Sequence, residues 1–246
     1  MAGRPRRVPI AELTAGPRQL EREVAHYVGH VLRLRPGDFF VAFDPTTGLE
    51  AEVVAENVDD AGVFVRVGEL RAGRARAARE IVWIQALAKA DKCDAIVRDA
   101  TELGATQIVI ATTERSVVRL DGARAEARLA RWRRIADEAA RQCERSEAPR
   151  VEAIVPWEDA LVGVGDTAAR FCLWEQARDP LGPALDDALA GACPLAFACG
   201  PEGGLTEGEA SFARGRGWCA VSLGPRILRT ETVAAAVLGA VTVWGG

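Results

Sequence analysis

The spacing of apolar residues divides the chain into two textures. Up to about residue 70, apolar positions come in short alternating runs broken by turn residues; from residue 81 onward they come as continuous apolar runs separated by helical stretches. In the first part, Leu20, Val24, Tyr27, Val28, Val31 and Leu32 recur at helical spacing, which predicts one amphipathic helix with Arg22, His26, His30 and Arg33 on its polar face. Alternation over residues 39–43, 49–55 and 63–67, punctuated by Pro36-Gly37-Asp38 and Asp44-Pro45-Thr46-Thr47-Gly48, predicts the short strands of a small β-rich module. Residues 71–80 are rich in Arg, Ala and Gly and poor in large apolar side chains, so they read as a linker. The domain division is therefore placed at residues 1–72 and 73–246.

In the second part a strand over 81–87, a helix over 91–103 stopped by Gly104 and a strand over 107–111 follow one another, an alternation that builds a parallel sheet. An Arg-rich helix is predicted over 124–146, with further strands over 151–155, 168–174, 195–199 and 218–223. Thr206 and Glu209 make a capping box for one more helix. Residues 233–244 are apolar but too few to span a bilayer, and they read as a buried terminal helix. The fold class is α/β.

Composition changes this picture little, whereas charge placement changes it more. The 246 residues carry a net charge of −4, yet residues 1–35 hold seven Arg against three Glu and residues 115–150 hold ten Arg against six acids. Segregation of this kind gives a basic face on an acidic body, the footprint of a polyanion partner, although solvated helix faces give it too. The six cysteines have no C-x-x-C pair and read as small core residues of a cytoplasmic protein. The two histidines lie far from every cysteine in sequence, so no metal is expected. The N-terminus has no apolar run of the kind a secretory signal needs, and no membrane partner is expected.

Candidate chemistry gathers just after the predicted strands, where open α/β sheets bind their ligands. Lys89, Asp91 and Lys92 follow the first, Glu114, Arg115 and Ser116 the second, and Glu175 follows Trp174. The last two strands lead into Gly200-Pro201-Glu202-Gly203-Gly204 and into Leu223-Gly224-Pro225-Arg226-Ile227-Leu228-Arg229-Thr230-Glu231-Thr232. Glycines here serve a tight strand-to-helix turn, and they also let a ligand lie directly on backbone groups. Neither turn is a G-x-G-x-x-G fingerprint or a P-loop. A guanidinium such as Arg229 at this edge can clamp phosphate or stabilise a developing oxyanion.

These segments, with Lys89-Ala90-Asp91-Lys92, Thr101-Glu102-Leu103-Gly104, Glu114-Arg115-Ser116, Trp132, Glu138-Ala139, Gln142 to Arg145 and Pro149, resemble the RsmE-type 16S rRNA uracil-N3 methyltransferases of the SPOUT superfamily. His26, Val31-Leu32-Arg33 and Gly37-Asp38 also fit, and Val233 departs from the Ala usual after Thr-Glu-Thr. The resemblance implies a PUA-like β-barrel followed by a SPOUT α/β domain with a parallel sheet and a C-terminal deep trefoil knot. It implies S-adenosylmethionine bound by Leu173, Trp174, Glu175, Cys199, Gly200, Pro201, Glu202, Gly203, Gly204, Leu223, Gly224, Ile227 and Leu228. It further implies a homodimer acting on a decoding-region uridine of 16S rRNA in the 30S ribosomal subunit. In that frame Arg229 takes the electrostatic role, with Glu202 or Glu231 as base. Arg6, Arg7, Arg22, Arg33, Lys89, Lys92, Arg115, Arg119 and Arg145 are the expected RNA contacts. Two other readings stand beside it, a non-catalytic RNA-binding protein and a nucleotide-dependent metabolic enzyme.

Overall fold

The computed structural model describes residues 6–59, 62–73, 79–89, 91–116, 122–145 and 147–245. The chain forms two compact units, Met1–Arg76 with Ala140–Ala148, and Ala77–Ala139 with Pro149–Gly246. The second stretch of the first unit departs from the single cut that the sequence suggests.

The first unit holds one sheet of six strands: β1 (Arg7–Pro9), β2 (Gly16–Gln19), β3 (Phe39–Phe43), β4 (Leu49–Asp59), β5 (Gly62–Val67) and β6 (Arg71–Ala72). Their order is β1-β3-β4-β5-β2, with β6 paired to β4, and only the β1–β3 pair is parallel. Alternation works as expected in β5, which buries Val63, Val65 and Val67 and turns Phe64 and Arg66 outward. Strands β1, β2 and β6 escaped the sequence reading because two to four residues are too few to display a period. Arg71 and Ala72 thus extend the sheet and are not linker; residues 74–78 of the expected linker lie outside the described residues.

The expected N-terminal helix is a short α1 (Arg22–His26) that continues over Tyr27–Val31 as a π-helical turn. The Leu32 N–H donates to the Tyr27 carbonyl five residues back, at 2.9 Å. That wider turn breaks the 3.6-residue stripe. Val28 is fully buried, whereas Tyr27 and Val31 are 40% and 60% exposed. His26 and His30 stack, with ring centroids 4.5 Å apart.

After residue 80 come β7 (Ile81–Ala86), α2 (Lys92–Glu102), β8 (Gln107–Thr112), α3 (Gly122–Gln142), β9 (Arg150–Val151), β10 (Val155–Pro156) and α4 (Trp157–Val162). Then follow β11 (Ala169–Leu173), α5 (Leu181–Leu189), β12 (Leu195–Cys199), α6 (Glu207–Gly215), β13 (Cys219–Val221) and α7 (Thr230–Trp244). The sheet runs β10-β8-β7-β12-β11-β13, with β9 also on β8, and every pair is parallel. Parallel strands need crossovers, which cover both faces with helices, so β7 and β12 are buried at every position. Neighbouring residues accordingly fall into opposite layers: Trp83 and Phe197 pack with α2, α3 and α7, while Ile84 and Ala198 pack with Trp157 of α4 and Ala210 of α6.

Local signals account for several boundaries. Gly104, at φ +97°, ends α2 while the Ala105 N–H returns to the Ala100 carbonyl at 2.9 Å. α3 stops at Gln142, before the expected 146, because Glu144 turns left-handed at φ +65°. The expected strand over 151–155 is split into β9 and β10. Helices α4 and α5 were not foreseen: one is a single short turn-and-a-half after Pro156, the other contains Gly182 and Pro183. The capping box of Thr206 and Glu209 is formed in both directions. α7 buries Val233, Ala234, Val237, Leu238 and Val241, but its end is open, with Trp244 71% exposed.

Candidate active site

In parallel register Leu173 lies beside Cys199 and Val221, and Cys199 beside Gln85, so β7, β11, β12 and β13 end at one edge of the sheet. The loops leaving that edge enclose a cavity of about 610 Å³. Its walls are Leu173, Trp174 and Glu175 after β11; Cys199 and Gly200, Pro201, Glu202, Gly203 and Gly204 after β12; residues 221–230 after β13; and Lys92 and Val233. All thirteen residues expected to bind the cofactor therefore line one space, together with Arg229. Glu231 is not among the residues that line it.

Glycine is required at the second of the turn's paired positions. Gly204 adopts φ +70°, and a Cβ there would lie 2.6 Å from Glu175 Oε1. At Gly203 a Cβ would come 3.2 Å from the Arg115 Cβ, and Arg115 itself donates from Nη1 to the Gly203 carbonyl at 3.0 Å. At its glycine positions the turn thus presents backbone to the cavity, which suits a ligand recognised through main-chain groups.

Beneath the cavity a buried polar knot joins three distant segments. Gln85 Nε2 donates to Thr230 Oγ1 at 2.9 Å, and Thr230 Oγ1 donates to the Gly200 carbonyl at 3.0 Å. Trp83 Nε1 donates to Gln85 Oε1 at 3.2 Å. Buried polar groups are costly unless satisfied, so this set holds the glycine turn and the start of α7 to the centre of the sheet. Gln85 was not singled out from sequence; the available signal was one amide inside the otherwise apolar run Ile81–Ala86.

At the rim, Lys92 Nζ lies 3.3 Å from Glu202 Oε1 and 3.5 Å from Glu231 Oε2. The Lys89 N–H also donates to Glu202 Oε1, at 3.0 Å. Partial burial pushes the Glu202 carboxyl up, but the N–H groups of Glu202 and Lys89 and the Lys92 ammonium outweigh it and hold the group below the usual carboxylate range. Arg229 occupies the N-cap position of α7, is exposed, and makes no side-chain hydrogen bond or ion pair among the described residues. Arg226, not singled out from sequence, is a second exposed cation on the cavity wall.

The expected RNA contacts fare differently from one another. Arg22, Arg33 and Lys89 are exposed, with no side-chain partner among the described residues. Arg6 is exposed and donates to the Leu32 carbonyl. Arg7 is turned inward: its side chain is 9% exposed and pairs with the buried Glu50 at 2.7 Å. Arg145 is buried as well, and desolvation lowers its pKa. Both are corrections to the sequence reading, since a buried guanidinium cannot meet a phosphate. Lys92 is committed to two carboxylates and Arg115 to the glycine turn. Arg119 lies outside the described residues.

Cys93, Cys172 and Cys199 are buried as expected, but Cys219 is exposed. Burial drives the Cys199 thiol up to about 12, so the cysteine in the cavity wall is no nucleophile at neutral pH. Among the described residues no group of three or more His, Cys, Asp or Glu is placed to hold a metal ion, and no helix is long and apolar enough to cross a membrane.

Comparison with known proteins matches residues 75–242 to the family described as RNA methyltransferase domain and residues 20–66 to the RNA methyltransferase PUA domain. The chain is 31% identical to the ribosomal RNA small subunit methyltransferase E of Bacillus subtilis, over 89% of this chain and 87% of that protein. It is 35% identical to the protein of the same name from Mycobacterium bovis, over 87% and 81%. A crystal structure of the Neisseria gonorrhoeae ribosomal RNA small subunit methyltransferase E bound to S-adenosyl methionine superimposes with a TM-score of 0.83 at 29% identity, covering 97% of this chain and 98% of that one. A methyltransferase from Legionella pneumophila in complex with the same cofactor gives 0.81 at 27% identity, covering 98% of each.

Proposed function

Because the chain belongs to the ribosomal RNA small subunit methyltransferase E family, we propose that it uses S-adenosylmethionine to methylate N3 of a decoding-region uridine of 16S rRNA, acting on the assembled 30S subunit in the cytoplasm. The observation that carries this reading is the convergence of the two glycine-containing loops and an unpartnered Arg229 on one cavity at the carboxyl edge of a parallel sheet. Its volume, about 610 Å³, is of the size that holds a nucleoside cofactor. Backbone groups of residues 199–204 and 223–228, with Glu175 from the loop after β11, would hold the cofactor. When bound, the cofactor supplies an electrophilic methyl group on sulfonium sulfur, which passes to the uracil N3 as the sulfur–carbon bond breaks.

The uracil N3 must lose its proton to become nucleophilic. Arg229 stabilises the negative charge that spreads onto O2 and O4, and it does so without reorganising, because no acceptor among the described residues competes for it. The two candidate bases share the Lys92 ammonium, and Glu202 in addition accepts from backbone N–H groups, which weakens it further as a proton acceptor. Glu231, in the first turn of α7, takes that proton. Residues 1–72 act as the RNA-binding domain and residues 73–246 as the catalytic one. A PUA-like barrel, a trefoil knot formed around the 200–204 and 223–230 loops, and a homodimer complete the proposal. The insertion of β12 between β7 and β11, and the tie from Thr230 back to Gln85, support a threaded C-terminus.

The test is calorimetric titration of S-adenosylmethionine, followed by methyl transfer to 30S subunits with mass-spectrometric location of the modified base. Arg229→Ala is expected to lower kcat by about 10²–10³-fold, as loss of an oxyanion donor does, with cofactor affinity kept. An unchanged kcat removes Arg229 from the chemistry, and absence of cofactor binding overturns the whole reading.

A further inference from the structure

Lys92 follows a predicted strand and is basic, which made it an RNA contact in the sequence; its surroundings describe something else. Its ammonium sits between two carboxylates that come from segments far apart in the chain, Glu202 in the glycine turn at 3.3 Å and Glu231 in the first turn of α7 at 3.5 Å. Glu231 Oε2 is buried and has no hydrogen-bond partner, so its one neutralising neighbour among the described residues is Lys92. Without that ammonium two half-buried carboxylates would share one rim with no cation between them, and their repulsion would push the two loops apart. About a third of the Lys92 side chain remains exposed, and it lines the cavity that these same two loops enclose.

We infer that Lys92 is a positioning residue whose ammonium clamps the glycine turn to the start of α7, so that it sets the shape of the cofactor cavity and the aim of Arg229 and does not contact RNA phosphate. The buried bonds of Gln85, Thr230 and Gly200 fix the floor of the cavity; the Lys92 clamp fixes its rim. The Arg115 and Lys89 bonds hold the glycine turn on its own side, whereas Lys92 also reaches α7, so its loss frees the two loops to move relative to each other at the rim. Arg229 immediately precedes Thr230 and Glu231, so any pivot there swings the guanidinium.

The inference rests on the methyltransferase reading, and the experiment separates the two. Wild-type protein is first shown to bind S-adenosylmethionine and to methylate 30S subunits; failure at that step sinks the functional reading and not the clamp. Lys92→Met then keeps length and bulk but removes the charge, and Lys92→Arg keeps the charge. For Lys92→Met the expectation is about tenfold weaker cofactor binding by calorimetry and a lower kcat, with the KM for 30S subunits and its salt dependence unchanged. Lys92→Arg recovers most of both, since a guanidinium also reaches two carboxylates. In a Glu231→Gln background, Lys92→Met adds little further loss of cofactor affinity, because the two act as one unit. Unaltered cofactor affinity in Lys92→Met, with a raised KM for 30S and a salt slope smaller by about one phosphate contact, would make Lys92 an RNA contact and overturn the clamp. So would equal losses in the Met and Arg variants, or additive losses with Glu231→Gln.

Discussion

Strands β5 and β12 are of similar length and similarly rich in small and branched apolar residues, yet they are built into opposite kinds of sheet. β5 alternates, with Val63, Val65 and Val67 inside and Phe64 and Arg66 outside, whereas β12 is buried at all five positions. The mostly antiparallel sheet of the first unit leaves one face of β5 open, and a charge is enclosed within it, where Glu50 at the start of the central strand β4 is fully buried between Arg7 and Arg71. The parallel sheet of the second unit has helices on both faces, so the polar residue inside its strand β7, Gln85, is buried and bonded beneath the cavity loops. The sheet of the second unit therefore rests on apolar packing, with its buried charges Asp94 and Glu209 on the flanking helices, whereas in the first unit a satisfied charge sits within the sheet itself.

Three substitutions sharpen this contrast, each read by thermal unfolding. Phe197→Ala in β12 removes a ring that stacks on Phe171 at 5.4 Å between centroids, and is expected to cost about 4 kcal/mol through lost burial and a cavity. Glu50→Ala leaves the nearly buried Arg7 without its carboxylate and is expected to cost about 3 kcal/mol. If Glu50→Ala proves neutral, the charge contributes nothing and the two units do not differ in kind. Phe64→Ser, on the open face of β5, should change stability by no more than about 0.5 kcal/mol. A loss comparable to that of Phe197→Ala would mean that this face is covered in solution.

The second unit was the more legible in sequence. Continuous apolar runs five or six residues long, each followed by a helical period, marked β7, β8 and β12 within a residue of their ends, and Gly104 marked the end of α2. The first unit was read well where strands were long enough to alternate. It was misread where they were not, at β1, β2 and β6, and where a π-helical turn moved Tyr27 and Val31 off the apolar face that a 3.6-residue period assigns them. The cavity walls were legible because glycine turns after strands are local signals. Partnering was not: Arg7, Arg145 and Lys92 read alike as basic residues, and only packing separates a buried ion pair and a loop clamp from the open cations Arg22, Arg33 and Arg229.

Sequence alone determined the strand and helix periods, the glycine turns and the capping box, because each depends on residues within a few positions of one another. Tertiary structure alone decided the strand order that places β12 between β7 and β11, and with it the meeting of Gln85, Gly200 and Thr230, and of Lys92, Glu202 and Glu231. The Gln85 and Lys92 contacts bridge more than a hundred residues of chain. Whether a carboxylate at one end meets an ammonium or an amide at the other depends on how the whole apolar core closes, which no local pattern encodes.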